Sequence, residues 1–148
     1  MVAARARGGV GSSFFLSIQN ASLPLSQCNI YYLGEANDES TLDLAIRHNA
    51  LLELQTLDAN SNDPTEGLRR KLLLNLIPDI SVGERLARAF ERELRNRGYR
   101  TSHIEALPLY ILSGAAGRGL VIEVSEQDLS SNFIEVLSEI IVNLQPTF

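Results

Sequence analysis

The chain contains one cysteine, Cys28, so no intrachain disulfide can form and the redox compartment is left open. Close to Ile30 and Tyr31 in an apolar run, it reads as a packed thiol rather than a reactive one. Histidine is nearly as scarce. His48 and His103 are the only two, and neither has a second His or Cys nearby at metal-ligand spacing. Each therefore reads as an ordinary surface or core histidine. No apolar run approaches the roughly 20 residues that a membrane span requires. The opening Met-Val-Ala-Ala-Arg-Ala-Arg lacks the apolar centre of a secretory signal, so the chain is expected either not to be exported or to be part of a longer exported one. There is no basic excess either. The net charge is −5 and the pI about 5.0, which gives nucleic-acid phosphates nothing to bind. The sequence has no Gly-x-Ser-x-Gly elbow and no phosphate-binding loop. Gly114-Ala-Ala-Gly-Arg-Gly resembles the latter only superficially, because it joins two predicted strands and opens no helix.

What is present is an ordinary globular composition, 45% hydrophobic and 21% charged over 148 residues, enough for one domain with its own core. Residues 1–12, rich in Gly, Ala and Arg, are expected to form a flexible N-terminal segment, and 13–148 the folded domain. Strands are predicted at 14–18, 29–33, 104–112 (interrupted by Pro108) and 120–124. A helix capped by Asp38 or Ser40 carries Leu42, Leu44, Ala45, Leu51, Leu52 and Leu54 at near-helical spacing. Residues 58–64 form a polar break, and a short helix at 68–76 stops before Pro78. The clearest helix is 82–97, with Ser81 and Glu84 in capping-box spacing, Leu86, Ala89, Phe90 and Leu94 on one face, and Gly98 at its end. A last helix spans 132–144. Nearly continuous apolar strands interleaved with helices predict a three-layer α/β domain, its mostly parallel or mixed central sheet flanked by helices.

Glu123 is the anomaly. It interrupts the apolar run Leu120-Val-Ile-Glu-Val, where a buried carboxylate costs several kcal/mol unless paired or neutralised. Either strand alternation turns it to solvent, or it lines a cleft beyond the carboxyl ends of the strands.

The order of motifs resembles one family. Phe14-Phe-Leu-Ser-Ile-Gln-Asn-Ala-Ser is similar to the Leu-Phe-Ile-Ser-Ile-His-Ala-Asn-Ala strand of zinc-dependent N-acetylmuramoyl-L-alanine amidases, and Ile30-Tyr-Tyr-Leu to the Val-Tyr-Tyr-Leu strand that follows. The Leu86-Ala87 helix, the strand ending Tyr110-Ile-Leu, and Leu120-Val-Ile-Glu-Val with Leu129-Ser-Ser-Asn then keep the family's order, so that the resemblance covers 13–145. It implies metal-assisted hydrolysis of the amide between muramic acid and the stem peptide, with zinc held by two His and one Glu. A further Glu acts as general base, and the resemblance places it at Glu123.

The pattern departs from the family where the chemistry lies. Gln19 stands at a family His position, and a neutral amide is a poor zinc ligand. The other two ligands have no counterpart, and Val124-Ser125 replaces the Gly-Phe after the late Glu. The expectation is therefore a pseudoenzyme with no metal and no cofactor, kept as a peptidoglycan-related binding or assembly module of the cell wall. Its partner would be a peptidoglycan fragment or a protein. The alternative is an active zinc amidase completed by residues outside this chain, with Glu123 catalytic. A sheet that begins at Phe14 would also leave an edge unpaired, which predicts a homo-oligomer through that edge.

Overall fold

Alternation along the strands sorts the apolar residues into two faces, and those faces set the architecture. In the computed structural model the described residues are 2–7, 13–35, 38–56, 80–112, 115 and 118–148. They form strands β1 (Val2–Arg7), β2 (Ser13–Asn20), β3 (Gln27–Leu33), β4 (Arg100–Leu107) and β5 (Gly119–Val124). The helices are α1 (Glu39–Thr56), α2 (Ile80–Asn96), the single-turn α3 (Glu126–Leu129) and α4 (Phe133–Leu144). The strands make one sheet in the order β1-β2-β5-β3-β4. β2 runs parallel to β5, and β3 parallel to β4. β1 is antiparallel to β2, and β3 to β5. The mixed sheet with helices on both faces is the three-layer α/β arrangement expected of these strands.

One face carries the main core. Phe14, Leu16 and Ile18 of β2, Cys28 and Ile30 of β3, and Leu120, Ile122 and Val124 of β5 pack against Leu86, Phe90 and Leu94 of α2 and Phe133, Leu137 and Ile140 of α4. Cys28 is fully buried and burial raises its thiol pKa, in keeping with a packed, unreactive cysteine. The opposite face holds a smaller cluster, in which Tyr31, Leu107 and Val121 meet Ala45 of α1 and Leu109 and Leu112 of the segment after β4.

Three expectations are corrected. Within the segment expected to be flexible, residues 2–7 form β1, with Val2 opposite Ile18 and Arg7 opposite Ser13. That pairing covers the outer edge of β2, so the terminal strand on that side of the sheet is β1 and not the strand that begins near Phe14. The strand expected over 104–112 starts earlier, at Arg100, and stops at Leu107. Pro108 supplies no N–H to continue a ladder, and residues 110–112 turn into a 3-10 helix. Ser81 lies inside α2 rather than ahead of it, since the helix begins at Ile80. The predicted break at 58–64 and helix at 68–76 lie outside the described residues.

The helix ends obey local chemistry. Asp38 caps α1 through its Oδ1, which accepts from the Thr41 N–H at 2.8 Å and the Thr41 hydroxyl at 2.7 Å. α2 closes in a Schellman turn, with Tyr99 N–H donating to Leu94 O at 3.0 Å and Gly98 N–H to Arg95 O at 3.1 Å. Gly98 sits at φ +89°, and no neighbour lies within 4 Å of where a Cβ would stand. A Gly98→Ala variant is therefore expected to fold normally but to lose about 1 kcal/mol to backbone strain alone, read as a lower urea midpoint with an unchanged slope.

Candidate functional site

The face covered by α1 is apolar at one end and polar at the other. Strand register lines up Gln19 of β2, Glu123 of β5, Asn29 of β3 and His103 of β4 in one transverse row. Because side chains alternate, these residues share a face with Tyr31 and Ser17, away from the main core. Glu123 is about 9% exposed, so alternation does not turn it to solvent.

Three donors hold its carboxylate. His48 Nε2 lies 3.0 Å from Oε1. Asn29 Nδ2 donates to Oε2 at 3.0 Å, and the Tyr31 hydroxyl donates to the same oxygen at 3.1 Å. Only a donor is stable that close to a carboxylate, so Nε2 of His48 carries the proton. Burial alone would raise the Glu123 pKa. The hydrogen bonds from His48, Asn29 and Tyr31, together with the charge of His48, outweigh it and hold the carboxyl below the ordinary glutamate range. Burial and the adjacent carboxylate push the Tyr31 phenol far upward, which keeps it protonated and a donor. The Tyr31 and His48 rings lie 5.7 Å apart and tilted, so they buttress each other.

His48 reaches the sheet because α1 turns residues 41, 44, 45, 48 and 49 inward. Thr41, Ala45 and Asn49 are buried, and the His48 side chain is 11% exposed. Asn49 Nδ2 donates to Pro108 O at 3.0 Å, a second polar tie from the helix to the chain beyond β4. The two positions singled out by the resemblance, Gln19 and Glu123, are direct neighbours across the β2–β5 ladder. Sequence reasoning missed Asn29 and Tyr31, and it read His48 as unremarkable. The available signal was that a histidine three and four residues from Ala45 and Leu44 must share their face. His103 lies on the outer strand, exposed, with its Nδ1 3.7 Å from Glu105.

Two buried polar atoms on this face are unmatched, Ser17 Oγ and Asn29 Oδ1. A second, separate clasp lies at the end of β5. Asp128 Oδ2 accepts from Ser125 Oγ and from the Ser26 N–H, both at 2.8 Å, and this fixes Ser26 in its left-handed turn at φ 61°. Among the described residues no group of three or more His, Cys, Asp or Glu is arranged to hold a metal ion, and no helix is long and apolar enough to cross a membrane.

The lowered Glu123 pKa fixes the sign of an acid dependence. The stability it contributes is present above the unfolded glutamate value and is lost as pH falls through the lower, folded one. Glu123→Gln removes that titration and leaves His48 and Tyr31 without a shared anion, at a cost of about 2 kcal/mol or more near neutral pH. Urea unfolding across pH 3 to 7 (roughly the range spanning a carboxylate) checks both. The native chain should weaken on the acid side, while the variant should be weaker near neutral pH, flatter, and close to the native chain at the acid end. The chain matches no protein-family model, no curated protein and no solved structure.

Proposed function

We propose that this domain is a non-catalytic, amidase-like module that binds peptidoglycan fragments or assembles with a cell-wall partner. The observation that carries the proposal is the state of Glu123. The resemblance assigns general-base duty to this position, and a general base must present a free lone pair to a water and hold a pKa close to the working pH. Here three side chains of the same chain occupy three of the carboxylate's roughly four acceptor sites, and they lower its basicity rather than raise it. Its neighbour across the register, Gln19, offers an amide where the resemblance calls for imidazole.

The described residues do not fit a zinc ion. No group of three or more His, Cys, Asp or Glu is gathered among them, and the best-placed carboxylate already has donors from three side chains. No hydrolytic step is therefore assigned to this chain. The resemblance contributes the ligand class, and the lost machinery contributes the expectation of binding without turnover.

The test is co-sedimentation of the purified protein with isolated peptidoglycan, with released stem peptide and bound zinc measured on the same sample. The proposal expects protein in the pellet, no stem peptide released and zinc far below one per chain. Release of stem peptide with stoichiometric zinc would show an active amidase instead. Protein left wholly in the supernatant would remove peptidoglycan as the ligand.

A further inference from the structure

Helix α2 carries two kinds of arginine. Arg95, and Arg97 just past the helix end, are committed to carboxylates one turn away, at 2.6 Å to Glu91 and 2.8 Å to Glu93. Arg85, Arg88 and Arg92 are three and four residues apart, so they share one face of the helix. Arg88 has its nearest carboxylates only at 4.0 Å and 3.9 Å, and its side chain is 58% exposed. Arg92 makes no ion pair among the described residues. Exposed pairs as long as those of Arg88 are worth little, so both guanidiniums remain available to a ligand.

These three arginines line a groove of about 330 Å³ on the side of the sheet opposite Glu123. Its floor is apolar, made by Ala89 and Leu144, both largely buried. One wall is the Phe148 ring, with the Arg85 guanidinium 5.9 Å from its centroid. Glu84 is the one acidic side chain among the described lining residues. Three guanidiniums gathered over an apolar floor, in a chain of net charge −5, form a local reversal of charge rather than part of a general basic surface. The volume lies at the small end of the range for organic ligands.

We infer that this groove binds a small organic oxyanion, a carboxylate or phosphate on an apolar body, with Arg88 and Arg92 taking the anion and Leu144 and Phe148 the body. A planar guanidinium matches both anions with two parallel hydrogen bonds, which an ammonium cannot do. The inference is independent of the amidase resemblance, and its test involves no peptidoglycan.

Benzoate and phenyl phosphate are titrated separately into the ¹⁵N-labelled full chain, with benzylamine as the cationic counterpart of the same apolar body. The expected result is a saturable shift of the amides of α2 and of residues 144–148 with at least one anion, weakened by salt and absent with benzylamine. Which anion binds more tightly identifies the headgroup. The double variant Arg88→Gln/Arg92→Gln alters exposed side chains only and should keep the native spectrum elsewhere, while affinity falls about tenfold or more. No saturable shift with either anion at millimolar concentration would overturn the inference. So would unchanged affinity in the double variant, or equal binding of benzylamine.

Discussion

The buried carboxylate of Glu123 is the constraint to which the rest of the polar face is fitted. An ionised group in that position is tolerable only with donors on all sides, and it obtains them from different elements: α1 through His48 and β3 through Asn29 and Tyr31. The helix is thereby tied to two strands that the β3–β5 ladder already joins, beside the apolar cluster of Tyr31, Ala45 and Val121. The main core, on the opposite face, could not do this alone. It binds α2 and α4 firmly through Phe90, Leu94, Phe133 and Ile140, while none of its members among the described residues comes from α1.

This division explains why the two helix layers differ in character. α2 and α4 are held by area, with large side chains interdigitating over the apolar face of β2, β3 and β5. α1 adds specific bonds to the smaller apolar cluster around Ala45: the Asp38 cap at its start, His48 to Glu123 midway, and Asn49 to the Pro108 carbonyl. A layer that includes such bonds responds to protonation where a wholly apolar layer does not, since a single proton on Glu123 removes the anion that three donors share.

Much of this was legible in the sequence, and what was not has a physical reason. The strands at 14–18, 29–33 and 120–124 were readable because apolar runs of strand length have few other uses, and α2 because its stripe of Leu86, Ala89, Phe90 and Leu94 ends at a glycine suited to φ +89°. β1 was not readable. Ala and Arg have little β preference, and its pairing to β2 is a tertiary event. The site was half-visible. Glu123 stood out as a charge in an apolar run, but its partner did not, because the inward stripe of α1 carries polar Thr41, His48 and Asn49 among its apolar positions. A reading tuned to apolar periodicity discounts such a stripe. The Glu123–His48 contact joins residues with half of the chain between them, and only the folded sheet brings them together.

The account depends on Glu123 being an internal acceptor and not a base poised for water. The most direct measurement is the carboxyl ¹³C shift of Glu123 followed by NMR as a function of pH, assigned by its loss in Glu123→Gln. The account predicts a midpoint below that of an ordinary glutamate, with the His48 ring and Tyr31 hydroxyl signals moving in the same transition. A midpoint raised towards neutrality, with His48 and Tyr31 unmoved, would contradict it and return Glu123 to the role of a catalytic base.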